Sequence, residues 1–192
     1  GDHRDLHSFP TRRSSDLKRR NIYAFNARSS NKKLDKRVVA DIDKMFYPEK
    51  FVVPFVEIVH DRVVAEIFRG CIRGCRFCQA GFWYRPIREK SVETISKQSK
   101  RLACTSGYDE LSLCSLSSSD YTKITELIEE LLGWTVPEKI NVALPSLRID
   151  NFSDELKEKL ALVRRSGLTF AAEAGTQRLR DALGAVGIII KF

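Results

Sequence analysis

The sequence lacks any apolar run of the roughly 18–20 residues that a membrane span requires. The apolar stretch Val186–Ile190 is far too short. The start of the chain has no apolar core of signal-peptide length. A cytoplasmic protein with no membrane association is therefore expected. There is no G-x-G-x-x-G or P-loop run to cradle phosphates, and no His/Ser/Asp set for hydrolysis. Charge of one sign is also scarce where a fold should lie. The net charge of +8 is concentrated in residues 18–37, which hold eight Lys/Arg against one Asp. Residues 1–17 balance to zero and residues 38–192 carry only +1. Nucleic-acid binding by the core is therefore not expected. The basic run reads as a solvated linker, with a weak RNA or phosphate contact as the lesser reading.

What is present is enough for one domain with a sizeable core: 192 residues, 43% hydrophobic. Residues 1–17 show neither helical nor strand periodicity. The run His-Ser-Phe-Pro-Thr-Arg-Arg-Ser-Ser-Asp-Leu (7–17) resembles the translation of a common sequencing-adapter oligonucleotide. An assembly artefact is expected there, on a reading frame truncated at its start. The expected organisation is thus 1–17 artefact, 18–61 basic linker and extended lead-in, and 62–192 folded core.

Within 18–61, Val38–Met45 is predicted as a short helix ended by Tyr47-Pro48, and Phe51–His60 as an extended segment. A βα rhythm follows. Strands are predicted at Arg62–Phe68, Glu110–Cys114, Lys139–Leu144 and Leu168–Ala172. Ser91 should cap a helix that Gly107 stops, and Asp120 one that Gly133 ends. Ser153 should cap a helix carrying Leu156, Leu160 and Val163, ended by Gly167; another starts at Thr176–Leu183. Such alternation implies right-handed βαβ units on a parallel sheet. The fold class expected is α/β, an incomplete (β/α)6 partial TIM-type barrel with about four βα units. The ending GAVGIIIKF is unlike a continuing helix, though Ile188–Ile190 can form a short strand. An unfinished barrel leaves an open edge and an incomplete core, so poor stability and an inactive fragment are expected.

Five cysteines in a reducing compartment point to metal or catalysis before disulfides. Three of them form C-x3-C-x2-C: Cys71, Cys75 and Cys78, in a loop after the first strand. Loops there lie at the functional end of α/β folds. Three thiolates can hold three irons of a four-iron cluster and leave one iron open. Gly70 and Gly74 would let the backbone curl, and Arg73 and Arg76 would offset negative charge. A zinc site is the competing reading but normally wants four ligands. Inert thiols are the third reading, and a disulfide would need oxidising surroundings. His60 reads as structural, and Cys104 and Cys114 as buried small apolar residues. The run Phe82-Trp83-Tyr84 reads as packing, with cluster shielding or a substrate surface as the other reading.

The motif, with an aromatic residue just before its last cysteine, resembles the signature of the radical S-adenosylmethionine (SAM) superfamily. The longer text EIFRGCIRGCRFCQAG, YRPIREKS, LSLCSLSSSDY, LPSLRID and LTFAAEAGTQRLRD resembles a bacterial subgroup with a cobalamin-binding-like domain upstream. The resemblance covers roughly 38–183. It implies a [4Fe–4S] cluster on Cys71, Cys75 and Cys78, with SAM on the fourth iron. One-electron cleavage of SAM to a 5′-deoxyadenosyl radical would then abstract hydrogen from a substrate that the resemblance does not name. An electron donor such as flavodoxin or ferredoxin is implied as partner, and cobalamin only in a full-length parent. The resemblance puts Phe77 near the adenine. It sets Ser117, Ser118, Ser119 and Asp120 where a Gly-Gly-Glu-like element holds the methionine amino group; Asp120 has a helix cap as its alternative. Arg148, after Ser146, would take the methionine carboxylate, with a surface salt bridge as its alternative. Glu173 and Gln177 resemble ribose- and methionine-contacting residues, and a charged Glu173 buried without a partner would be costly.

Overall fold

The structure, a computed structural model, describes residues 38–148, 158–164, 168–184 and 188–191. The expectations for residues 1–37, and for Ser153, Leu156 and Gly167, lie outside those residues.

Three parallel strands form the centre: β1 (Val63–Glu66), β4 (Glu110–Cys114) and β5 (Asn141–Ala143), in the order β1-β4-β5. Val63 pairs with Leu111 and Glu66 with Cys114, while Glu110 pairs with Asn141. Alternation sends Val63, Ala65, Leu111, Leu113 and Val142 into the core, and leaves Val64 half exposed on the opposite face. The strand predicted to run to Phe68 stops at Glu66. Phe68–Arg69 turns away as β2 and pairs antiparallel with β3 (Arg88–Glu89), which frames the cysteine loop between them. The predicted third strand begins late because Lys139 takes a left-handed conformation, φ 57°.

Two helices cover the core face. After the four-residue turn α1 (Ala80–Trp83), α2 spans Val92–Ser106. Ser91 caps it as expected, its Oγ accepting the Thr94 N–H at 3.3 Å. Gly107 ends it in a left-handed conformation, φ 76°. Val92, Ile95, Leu102 and Ala103 face inward. The next helix, α3 (Ile124–Thr135), buries Leu127, Ile128 and Leu131. Its ends correct two expectations. Asp120 is not its cap: it lies in a 3-10 turn, Ser118–Asp120, and the helix starts after Lys123. Glu89 instead accepts the N–H and hydroxyl of Thr122 just before it. Nor does Gly133 end the helix. Thr135, fully buried, extends the packed face, and Pro137 then offers no N–H to continue.

The α/β class and the parallel sheet of a partial barrel are thus present. The fourth strand departs from the expectation. Leu168–Ala171 (β7) does not extend the parallel sheet but pairs antiparallel with β8 (Ile188–Lys191), which also pairs antiparallel with β6 (Leu147–Arg148). An isoleucine-rich strand between them offers the hydrogen bonds that β7 needs. Residues 158–160 are helical, in the stretch predicted as a helix, and Leu160 joins the core. α4 (Gln177–Leu183) follows, with Thr176 as its cap, accepting the Leu179 N–H.

The lead-in differs too. Val38–Met45 forms no helix, because Asp41 accepts the N–H of Asp43 and pairs with Lys44, closing a local turn instead. Asp43 accepts the Ser91 N–H at 2.9 Å, which ties this segment to the start of α2. Phe51–His60 makes no strand, and all but Phe51 of it is exposed. His60 is exposed and contacts the Arg62 guanidinium. No helix among the described residues is long and apolar enough to cross a membrane.

Candidate functional site

The cysteine loop leaves the sheet at the C-terminal end of β1, where β2 and β3 hold its base. Cys71 is buried, while Cys75 and Cys78 are half-buried; all three thiols are free. The Cys71 N–H donates to Tyr84 O at 3.2 Å, and Cys78 N–H to Cys75 O at 3.0 Å, which curls the loop. Gly70 has φ +113°, and a Cβ there would lie 2.6 Å from Tyr84 O. Gly74 is different, with open space around it and no left-handed backbone. The second close approach is at Gly81, where a Cβ would collide with Arg73 O. Sequence reading missed Gly81, because the approach joins α1 to the loop through space. The only local signal was a glycine three residues after Cys78.

Arg73 lies between the first two cysteines, and its side chain turns to Asp120. Its guanidinium engages Asp120 bidentately, Nε donating to Oδ2 at 2.8 Å and Nη2 to Oδ1. Ser117 Oγ donates to Oδ2 at 2.7 Å. The Asp120 side chain is only 3% exposed. Burial opposes its ionisation, but the hydrogen bonds from Arg73 and Ser117, helped by the charge of Arg148, hold its carboxyl below the usual carboxylate range. A lowered folded value stabilises the fold fully above the unfolded carboxylate value, and that stabilisation is lost as pH falls through the folded one. The stability gap between the unaltered chain and Asp120→Asn should therefore be constant above about pH 5 and narrow below it. Urea midpoints at stepped pH values check this.

The same region gathers other candidates. Ser119 Oγ accepts the Arg148 N–H at 3.2 Å, and Ser118 N–H donates to Ser146 O at 3.0 Å. Ser146 is left-handed, φ 59°. Arg148 is buried, 7% exposed, so a surface salt bridge does not describe it. Ser117, Ser118, Ser119, Asp120 and Arg148 therefore form one connected group, joined to the cysteine loop through Arg73.

Phe77, Glu173 and Gln177 are not joined to that group by a hydrogen bond among the described residues. Phe77 is exposed. Glu173 is exposed, so burial cannot argue for its function, and it takes a left-handed conformation, φ 61°. The Gln177 amide bonds within α4, to Asp181 and Arg180. That helix still reaches the loop from its other end, since Arg76 N–H donates to Leu183 O at 2.9 Å.

Three further expectations change. Phe82, Trp83 and Tyr84 are exposed rather than packed, because α1 buries none of its residues. Cys104 lies on the outer face of α2 and is exposed. Cys114, the last residue of β4, is exposed too; partial burial and the nearby Glu66 charge push its thiol up. Among the described residues, no three His, Cys, Asp or Glu side chains already stand as a metal site. The donor chemistry nevertheless fits an iron–sulfur group: three free thiols, soft sulfur ligands, on one curled loop. Bound metal, not the bare loop, draws such ligands together.

Parallel strands with a three-thiol loop at their C-terminal end define a partial-barrel domain organised around that loop. The profile of the Radical SAM superfamily matches residues 65–188, well over half of the chain, and the chain belongs to that superfamily. It is 29% identical over 147 residues to an uncharacterized protein of Methanocaldococcus jannaschii, covering 72% of this chain and 32% of that protein. It is 25% identical over 128 residues to a protein of the same organism provisionally named a methylthiotransferase, covering 61% of this chain and 27% of that protein. The chain spans less than a third of the length of either relative.

Proposed function

We propose that this chain is the core of a radical SAM enzyme, with Cys71, Cys75 and Cys78 as the three protein ligands of a [4Fe–4S] cluster. The observation that carries the reading is the three free thiols on one curled loop at the sheet's C-terminal end, within the matched residues 65–188. When bound, the cluster and SAM supply one-electron cleavage of the sulfonium C–S bond, giving methionine and a 5′-deoxyadenosyl radical that takes a hydrogen atom from substrate.

The chain's own residues bind and orient. Buried Arg148 would face the methionine carboxylate, an anion that suits a guanidinium. Hydroxyls of Ser117, Ser118 and Ser119 can accept from the ammonium group. Phe77 offers an exposed ring for the adenine, and Glu173 and Gln177 polar groups for ribose and methionine. Asp120 has both oxygens engaged by Arg73 and Ser117, which favours the serines over it as acceptors. A low-potential donor such as flavodoxin or ferredoxin would supply the electron. The relative's name suggests methylthio transfer as one outcome to assay, while the substrate stays open.

Anaerobic reconstitution tests the reading. A brown, oxygen-labile chain with about four irons, forming 5′-deoxyadenosine from SAM under reduction, supports it. A colourless chain that takes up zinc and leaves SAM intact contradicts it.

A further inference from the structure

The contact between Arg73 and Asp120 is bidentate, as is the Arg69–Glu66 contact just before the cysteine loop, but it reaches from the loop to a distant segment. It joins residues 47 apart in sequence. The acid is the fixed end, with its side chain 3% exposed, while the arginine is 32% exposed. Among the described residues, the oxygens of Asp120 accept from Arg73 twice and from Ser117. A bidentate guanidinium–carboxylate contact fixes orientation as well as distance. Other ties reach the loop as well: Cys71 N–H donates to Tyr84 O, Arg76 N–H to Leu183 O, and the Arg85 guanidinium to Ile72 O and Arg73 O. Together with Arg85, Arg73 holds the stretch between the first two cysteines. It fixes that stretch to the segment that also carries Ser117, Ser118 and Ser119 and abuts Arg148 through Ser119.

We propose that Asp120 is a positioning residue: through Arg73 it sets the spacing between the cysteine loop and the Ser117–Asp120 and Arg148 group, and hence the geometry in which SAM meets the cluster. This rests on the radical SAM reading. Arg73 grips this carboxylate as a planar fork, a role that a lysine, a point charge on a flexible stem, does not reproduce.

The test compares the reconstituted chain with Asp120→Asn and Arg73→Lys. Three quantities are read: iron content, the SAM concentration giving half of the change in the electron paramagnetic resonance signal of the reduced cluster, and amide hydrogen exchange in the iron-free chain. Both variants should keep the iron content. Both should need at least about tenfold more SAM, the scale of loss when a supporting contact behind a metal ligand is removed. Both should speed exchange at residues 71–78 without changing it in β1 or β4. Asp120→Glu, which keeps the charge, should recover part of the SAM response. An unchanged SAM response with unchanged exchange overturns the proposal. Should Asp120→Asn fail to fold, Arg73→Lys, at a partly exposed side chain, carries the same comparison. If the unaltered chain takes up no iron, the cluster reading fails. Loop exchange in the iron-free variants then decides alone whether Asp120 positions the loop.

Discussion

Replacing Cys75 with alanine should cut bound iron from about four per chain to below one and lower 5′-deoxyadenosine formation at least about a hundredfold. In the proposed cluster each of the three thiolates would hold one iron, and no other described cysteine stands ready to replace it. Cys104 sits on the exposed face of α2, away from the loop's end of the sheet. Cys114 is nearer the strand ends, but burial and then the Glu66 charge raise its thiol value, so it is a reluctant thiolate. Cys104→Ala and Cys114→Ala should therefore retain both iron and product. Iron analysis and product chromatography on the three variants separate the outcomes. A Cys75→Ala chain that kept its cluster would contradict the ligand assignment.

Gly81→Ala should destabilise the iron-free chain by about 2–3 kcal/mol, whereas Gly74→Ala should stay within about 0.5 kcal/mol of the unaltered chain. The contrast follows from what a Cβ would meet. At Gly81 it collides with Arg73 O, a backbone atom that cannot rotate aside, on a residue already anchored by Asp120. Either α1 unwinds or the cysteine loop shifts. At Gly74 nothing lies within 4 Å. Gly70→Ala should resemble Gly81→Ala, since it adds a left-handed φ of +113° to a 2.6 Å approach to Tyr84 O. Urea denaturation of the three variants measures this. Equal midpoints for Gly74→Ala and Gly81→Ala would mean that α1 does not press on the loop.

Local signals were legible in the sequence where one residue decides one geometry. Ser91 and Gly107 bracket α2 because a hydroxyl cap and a left-handed stop act within one turn of the chain. The helix start predicted at Thr176 is likewise local, since that hydroxyl accepts the Leu179 N–H. The cysteine spacing is also local, and it carries the superfamily resemblance. Asp120 shows the limit. Its sequence context suits a helix cap, and only the approach of Arg73 from another loop withdraws it from that role. Gly81 was illegible for the same reason. The pairing of β7 with β8 depends on strands meeting across the fold, so sequence order alone suggested a parallel partner. Exposure misled at Cys104, Cys114 and the Phe82-Trp83-Tyr84 run, where apolar character was taken for burial. Surfaces carry many apolar atoms, and residue type alone does not place one inside.

The central claim is that three cysteines hold a four-iron cluster whose remaining iron has no protein ligand and is free for SAM. Mössbauer spectroscopy of the chain reconstituted with iron-57, before and after adding SAM, tests it most directly. The account predicts a spectrum in which about one iron in four changes its parameters when SAM is added while the other three do not. Four irons that all keep their parameters in the presence of SAM would contradict it.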